Sequence, residues 1–490
     1  MNPVDEPPPF TGRQLAILTA ITLLGAALRL LRLGEWSLWV DEAHTVRDVT
    51  VPLAHFWGTE QSGYPLSYLL LRGLLDWMPS SGEGWLRLPF AFFGLLSVPT
   101  LALAGRAMVG PVPALCAALL LALSPWHLYW SQNVRSYAML LFFGLVAAGC
   151  WYRGMRLRSW PWLIAAIGGA LVAGLCHHSA YFLLAAFAAH GLAIRVHARR
   201  TRALLVLMLG LVAAAAVPLV MPAFQYFLRA KPAAGILHFA QTYTFFAGLP
   251  MLVAALGGLA FLLAERTRSA AFLAAWAAVP SLILVPIGLF AVKVTAQYAF
   301  VTFPAVCLLA AVCAERFVRA LPDLRGVTGR ILAATPLLIL LSGDVGRCYL
   351  YFTRQYGDRP RWREASEYVV RQGSARKLVL TTNEPSLRYY LQPDRLWSPV
   401  EATPGVEVKL LADWILREEG PAWIAAEMRA AAEQGRDTYV VVTEPELYEI
   451  DPAGVVNSHL RLNLHQVRRY PCWNGPKDMT VLVYWAPARR

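Results

Sequence analysis

Apolar runs of about twenty residues recur from residue 13 to about residue 350, and this pattern limits the fold of the 490-residue chain more than any other feature. In hydrocarbon every backbone N–H and C=O must be satisfied within the protein, so such runs cross a bilayer as helices. The 20-residue rule reads roughly eleven spans, near 13–33, 86–106, 112–129, 135–152, 159–177, 179–195, 203–222, 246–264, 270–290, 298–316 and 330–350. Gly or Pro interrupts several of them, and 112–152 leaves room for a re-entrant segment. Composition agrees: 57% of residues are hydrophobic, only 15% are charged and mean hydropathy is +0.46. A soluble chain carries about a quarter charged residues.

The net charge of +13 is distributed as a topology signal. With a cytoplasmic N-terminus, the cytoplasmic side takes Arg13, Arg106, Arg153, Arg156, Arg158, Arg195, Arg199, Arg200 and Arg202. It also takes Arg266, Arg268, Arg316, Arg319, Arg325 and Arg330, whereas the short external loops after the third span carry only Arg135, Arg229, Lys231 and Lys293. This positive-inside bias puts Asp41, His177, His178 and everything after about 350 outside, and it removes the case for a nucleic-acid partner. Asp5, Glu6 and a Pro7-Pro8-Pro9 run precede the first span without a cleavage site, which reads as a retained anchor. The seven cysteines fall mostly in apolar spans as small hydrophobes, and no C-x-x-C spacing indicates a metal or redox site.

Two regions follow. Residues 1–350 form an all-α polytopic membrane domain, with an external loop over 34–85 that is too long and too structured in composition to be a plain connection. Within it, residues 65–77 read as an amphipathic interfacial helix, with Trp57, Trp77 and Trp85 at headgroup level. Residues 351–490 are soluble in composition. Helical periodicity over 360–371 is followed by a strand at 377–382, a helix from Pro421 to Gly435, a strand at 438–442 and strand candidates near 461–467 and 480–485. This alternation predicts a small extracytoplasmic α/β domain.

The chemistry concentrates in external segments. Trp36-Ser-Leu-Trp39-Val-Asp41-Glu42 sets two adjacent carboxylates in aromatic surroundings just past the first span, where desolvating them is costly. They suit chemistry on a hydroxyl or amine met at the bilayer, and they equally suit the cap and first turn of a surface helix. Arg135 and Tyr137, between the third and fourth spans, offer a guanidinium for bidentate phosphate recognition or for snorkelling to headgroups. His177 and His178 follow the fifth span, and adjacent histidines rarely ligate one metal together. Lys293, Gln297 and Tyr298 lead into the tenth span. The chain has no Walker loop, Rossmann glycine pattern or H-E-x-x-H, which argues against ATP- and dinucleotide-driven chemistry.

Four ordered motifs carry a resemblance. They are Trp39-x-Asp41-Glu42-Ala43; Tyr64-Pro-Leu-x-Tyr68-Leu-Leu-Leu-Arg72; Leu86-Arg87-Leu-Pro-Phe90; and Ser124-Pro-x-His127 with Arg135-Ser-Tyr137-Ala. Together the chain resembles the GT-C membrane glycosyltransferases, in the branch of protein mannosyltransferases and the bacterial aminoarabinose and galacturonic-acid transferases of lipopolysaccharide. Tyr298 with Pro304 is similar to a late family motif, and residues 361–365 resemble the start of the family's periplasmic domain. The resemblance implies a GT-C fold and an inner-membrane enzyme that moves a sugar from a polyisoprenyl-phosphate donor to a lipid, glycan or protein acceptor. It implies Asp41 as the essential acid of the first loop, Arg135 beside the active-site cavity, and a histidine at 177 or 178. Gln297 stands where the family has arginine, and Gly63-Tyr64-Pro65 where His-Pro-Pro or Lys-Pro-Pro is common, so the donor-phosphate site is assembled differently here or takes a different donor.

The residues then take these roles. Asp41 accepts the acceptor's proton, with Glu42 supporting it by position or charge. Arg135, Tyr137, Lys293, Gln297, His177 and His178 hold the donor phosphate. Trp39, Tyr64 and Tyr298 face the acceptor or the interface. One carboxylate without a covalent nucleophile favours single-displacement inversion. No cofactor is established, and a divalent cation stays open. A polyprenyl-glycan flippase, or a non-catalytic glycolipid-binding protein, is the alternative; a flippase needs charge along its path, yet the charges here gather at span ends.

Overall fold

The computed structural model describes residues 8–57, 60–80, 82–194, 235–290, 294–321, 326–372, 376–392, 405–412, 419–474 and 477–488. The chain divides into two compact units, one of Met1–Leu31, Trp57–Gly73 and Arg87–Cys348, the other of Arg32–Phe56, Leu74–Leu86 and Tyr349–Arg490. The external loop expected over 34–85 is thus divided between them.

The first unit is helical. Among the described residues six helices are long and apolar enough to cross a membrane, Gly12–Leu30 (α1), Glu83–Val109, Tyr137–Leu157, Arg268–Leu289, Ala296–Ala320 and Val327–Thr353. Two bent pairs bring the number to eight if each is one span. The sequence expects eleven. Two of those appear as shorter helices, Trp160–Cys176 and Phe182–Ala193, and the one near 203–222 lies outside the described residues. The helix expected over 65–77 runs over Leu66–Leu75.

One bend falls where a re-entrant segment had room. Pro111–Leu123 and Pro125–Ser131 meet at 61°. Pro125 has no N–H and restricts the residue before it, so the first helix must end there and its last carbonyls need donors. Arg29, fully buried, supplies them: its guanidinium donates to Ala122 O at 3.0 Å and Leu121 O at 3.3 Å, as well as to Gly25 O of its own helix at 2.9 Å, and approaches His127 Nδ1 at 2.6 Å. The Gln132 amide serves the end of α1 in the same way, donating to Leu28 O, Arg29 O and Leu31 O. Buried polar residues here close helix ends rather than line a path.

The second unit is built on a five-stranded sheet. Its strands are β1 (Lys377–Thr381), β2 (Val406–Leu410), β3 (Asp437–Thr443), β4 (His465–Tyr470) and β7 (Val481–Ala486), in the order β2-β1-β3-β7-β4. A small hairpin of β5 (Trp473–Asn474) and β6 (Lys477–Asp478) stands beside the sequence of β7. β1 is parallel to β2 and β3, while β7 is antiparallel to β3 and β4. Both faces are covered, so the central strands read as continuous apolar runs rather than alternating ones. Leu378, Leu380, Val440 and Val442 face the helices Gly420–Glu433 and Val455–Asn463 through Ile424, Val456 and Leu460. Val379, Tyr439, Val441 and Val483 face Trp362, Ala365 and Val369 of the helix Trp362–Arg371. β4 is an edge strand, exposed and charged at Arg468 and Arg469, which suits an edge that must not pair further. β2 and the helices Glu384–Leu391, Glu444–Ile450 and Val455–Asn463 have no counterpart in the sequence reading, and the strand expected near 461–467 starts only at His465, because residues 461–463 close a helix.

Residues 32–56 pack into this unit by specific contacts. Trp36 is buried against Tyr351 and Tyr356. The Leu38 N–H donates to Tyr390 Oη at 2.7 Å, and the Arg363 N–H donates to Ser37 Oγ at 3.1 Å. Gly357 has φ +63°, and a Cβ there would lie 2.5 Å from Trp36 Cδ1, so only glycine fits on both counts.

Candidate active site

The carboxylates open a helix. Val40–Thr50 (α2) starts after Trp39, whose extended backbone ends the preceding segment, and Asp41 and Glu42 occupy its first turn. Negative charge is favoured there by the unpaired N–H groups and the helix dipole. The two side chains differ sharply. Glu42 is fully buried; it accepts from the Trp39 N–H at 3.3 Å and from Arg359 Nε at 3.2 Å, and Arg359 is itself fully buried. Arg359 also donates to Tyr351 Oη at 3.1 Å and Gly357 O at 2.6 Å. Glu42 is thereby tied to the start of α2 on one side and to Arg359 on the other. Asp41, next along the helix, is half-buried. Trp39 is half-buried at the same turn.

A second set of expected residues comes together inside the helical unit. Tyr64 packs its ring 5.1 Å from His178, 5.9 Å from His177 and 6.0 Å from Tyr68, centroid to centroid. His177 stacks on Tyr298 at 5.7 Å and lies 5.0 Å from the Tyr137 ring, which in turn packs on Trp130. Arg135 Nη1 donates to Tyr68 Oη at 3.3 Å. Residues from four separate stretches of chain thus form one aromatic and cationic cluster. Gln297 is half-buried in the 3₁₀ turn Ala296–Thr302 beside Tyr298. Lys293, Arg229 and Lys231 lie outside the described residues.

Local backbone chemistry aims the histidines. His177 ends the helix Trp160–Cys176 in an extended conformation, and its Nδ1 accepts the Ser179 N–H at 3.2 Å. That assigns the proton to Nε2, which donates toward Tyr137 Oη at 3.4 Å. His178 Nε2 donates to Gly63 O at 2.9 Å, tying the Gly63-Tyr64-Pro65 turn to this link. Gly174 has no room for a side chain, since a Cβ would meet Tyr181 Cε1 at 2.2 Å. Burial, then His178, then the Arg135 guanidinium push His177 down to about 3; burial also lowers His178, against the Gly63 carbonyl that raises it. Both imidazoles are neutral at neutral pH and serve as hydrogen-bonding surfaces.

Sequence reasoning gave Tyr68 no role and missed Arg359. Tyr68 had a signal, lying four residues after Tyr64 in the quoted motif and within the helix Leu66–Leu75. Arg359, in Asp358-Arg359-Pro360, had none. Among the described residues no three His, Cys, Asp or Glu side chains come close enough to hold a metal ion, and Glu42 is already engaged by Arg359.

The sequence matches no family model and no curated protein. Solved structures do match. ArnT from Cupriavidus metallidurans bound to undecaprenyl phosphate aligns at TM-score 0.54 and 14% identity over 97% of this chain and 98% of its own. The oligosaccharyltransferase AglB from Archaeoglobus fulgidus, in complex with an inhibitory peptide and a dolichol-phosphate, aligns at 0.56 and 14% over 96% and 74%. A complex of the Archaeoglobus fulgidus oligosaccharyltransferase with Zn and sulfate aligns at 0.53 and 12% over 95% and 72%. Both proteins are GT-C fold glycosyltransferases, and the chain shares that fold. It is a multi-pass membrane protein with a small C-terminal sheet domain.

Proposed function

We propose that this chain is an integral membrane glycosyltransferase that moves a sugar from a polyisoprenyl-phosphate donor to a lipid, glycan or protein acceptor on the outer face of the bacterial inner membrane. The observation that carries the reading is the Arg135–Tyr68–Tyr64–His177–Tyr298 cluster, assembled within a fold whose solved examples hold undecaprenyl phosphate or a dolichol-phosphate. Asp41 takes the proton from the acceptor hydroxyl or amine as that atom forms its bond to the anomeric carbon. The bond from that carbon to the phosphate oxygen breaks, and its electron pair leaves with the polyisoprenyl phosphate. One displacement inverts the anomeric centre, and the phosphate needs no acid to leave. Arg135 stabilises the charge that grows on it, and Tyr137, His177 and His178 present hydrogen-bonding groups.

The test is transfer from a synthetic short-chain polyprenyl-phosphate sugar by the purified chain. If Arg135 grips the phosphate, Arg135→Lys loses much of kcat as well as raising KM, because an ammonium cannot make the two-pronged contact and the phosphate gains charge in the transition state. A variant as active as wild type would move Arg135 out of the site and leave it as a headgroup anchor.

Orientation belongs to the same proposal. The arginine asymmetry supports a periplasmic location for residues from about 351. A reporter fused after Arg490 that matures only in the periplasm is expected to be active; activity confined to a cytoplasm-only reporter would reverse the orientation and place Asp41 on the wrong side.

A further inference from the structure

The sheet-containing unit holds a cavity of about 320 Å³ whose wall includes four arginines, Arg32, Arg354, Arg361 and Arg363. Three are matched. Arg32 pairs with Glu35 at 2.5 Å, Arg361 with Glu364 at 3.3 Å, and Arg363 Nε with Glu83 at 3.0 Å. Arg354 has no carboxylate partner among the described residues, and it is exposed. The cavity therefore carries one uncompensated guanidinium beside three that are already oriented.

Aromatic faces hold two of these cations in place. Arg32 lies over Trp36 at 4.8 Å and Arg361 over Tyr356 at 4.6 Å, and Arg32 also bonds the Phe352 carbonyl. The backbone is forced to reach this arrangement. Arg32 has φ +57° and Tyr356 φ +54°, left-handed conformations that are unfavourable for a non-glycine residue. Chain position says where the cavity stands. Arg32 comes two residues after α1, and Phe352 and Thr353 are the last residues of the span Val327–Thr353. Residues that close a span sit at the headgroup layer, where phosphate is the dominant anion. Guanidinium is the cation best fitted to phosphate oxygens.

We infer that this cavity binds a phosphate group, supplied by the headgroup of an anionic lipid. The inference goes beyond the transfer reaction, and its readout needs no turnover. Full-length protein in detergent is titrated with dihexanoyl phosphatidylglycerol, with dihexanoyl phosphatidylcholine as the zwitterionic control and inorganic pyrophosphate as the soluble source. Bound mass is read by native mass spectrometry. Wild type is expected to retain phosphatidylglycerol over phosphatidylcholine, and Arg354→Glu to weaken it about ten-fold, the scale of one charge-assisted hydrogen bond. Arg354→Gln should give a smaller loss, and both should melt at the wild-type temperature. Pyrophosphate that binds and is lost in the same variants, without phosphatidylglycerol binding, would keep the phosphate site and overturn the lipid source. Equal retention of both lipids, or unchanged binding in both Arg354 variants, would overturn the site.

Discussion

Asp41→Asn is expected to abolish sugar transfer while the protein folds and extracts from membranes as wild type does. Asparagine keeps the size and hydrogen-bonding reach of aspartate, but it cannot accept a proton at neutral pH. Losing general-base assistance alone costs roughly 10²–10⁴ in rate. The substitution leaves the fixed start of α2 untouched, because the Trp39 N–H and Arg359 are held by Glu42. Turnover near wild type in purified Asp41→Asn protein would make Asp41 a first-turn residue of α2 and would sink the proposed proton transfer. Retained donor binding with lost turnover is the pattern that supports it. Glu42→Gln should be milder toward chemistry, since the group that it perturbs is a scaffold.

The largest effect on stability is expected from Arg359→Ala. Glu42 and Arg359 are both fully buried and joined at 3.2 Å. Removing the arginine takes the buried cation away from the fully buried Glu42 carboxylate, and breaking a buried pair from one side costs about 3–5 kcal/mol. Tyr351 Oη and Gly357 O lose their donor at the same time. Removing both charges is another matter, because a buried pair replaced by apolar residues of similar volume is often neutral. Arg359→Met alone should therefore lower the melting temperature strongly, and Arg359→Met with Glu42→Met should recover most of it. Equal melting of wild type and Arg359→Ala would show that the pair contributes nothing and that α2 is positioned by Trp36 and Leu38 instead.

Much of the fold was legible because hydrocarbon leaves the backbone so little choice. Apolar runs of span length announced the helical unit, and the change in composition near 351 announced the sheet-containing part. Trp362, Val379 and Val441 lie in elements expected from their periodicity, whereas β2 escaped notice because Val406-Glu-Val-Lys-Leu410 is too short and too charged to stand out. Window length set the count of eleven spans, which the described residues leave unconfirmed. Helices break at Pro125 and at Gly248, whose φ is +85°, and proline and glycine chemistry marks the positions without giving the angles of 61° and 91°.

The sequence by itself determined the residue types at each candidate position and the membrane class of the chain, because side-chain chemistry and the period of hydrophobicity are local properties. The resemblance assigned Asp41 the proton and Glu42 a supporting place, but nothing in the sequence said what holds Glu42. Only the tertiary structure brought Arg359, more than three hundred residues away along the chain, onto Glu42 and left Asp41 half-buried. It alone gathered Tyr64, Arg135, His177 and Tyr298 from four stretches, and it alone turned four arginines into the wall of one cavity. The physical reason is the same in each case. The work that a charged group can do is set by the charges and the dielectric around it, and these are supplied by packing partners that sequence spacing does not reveal.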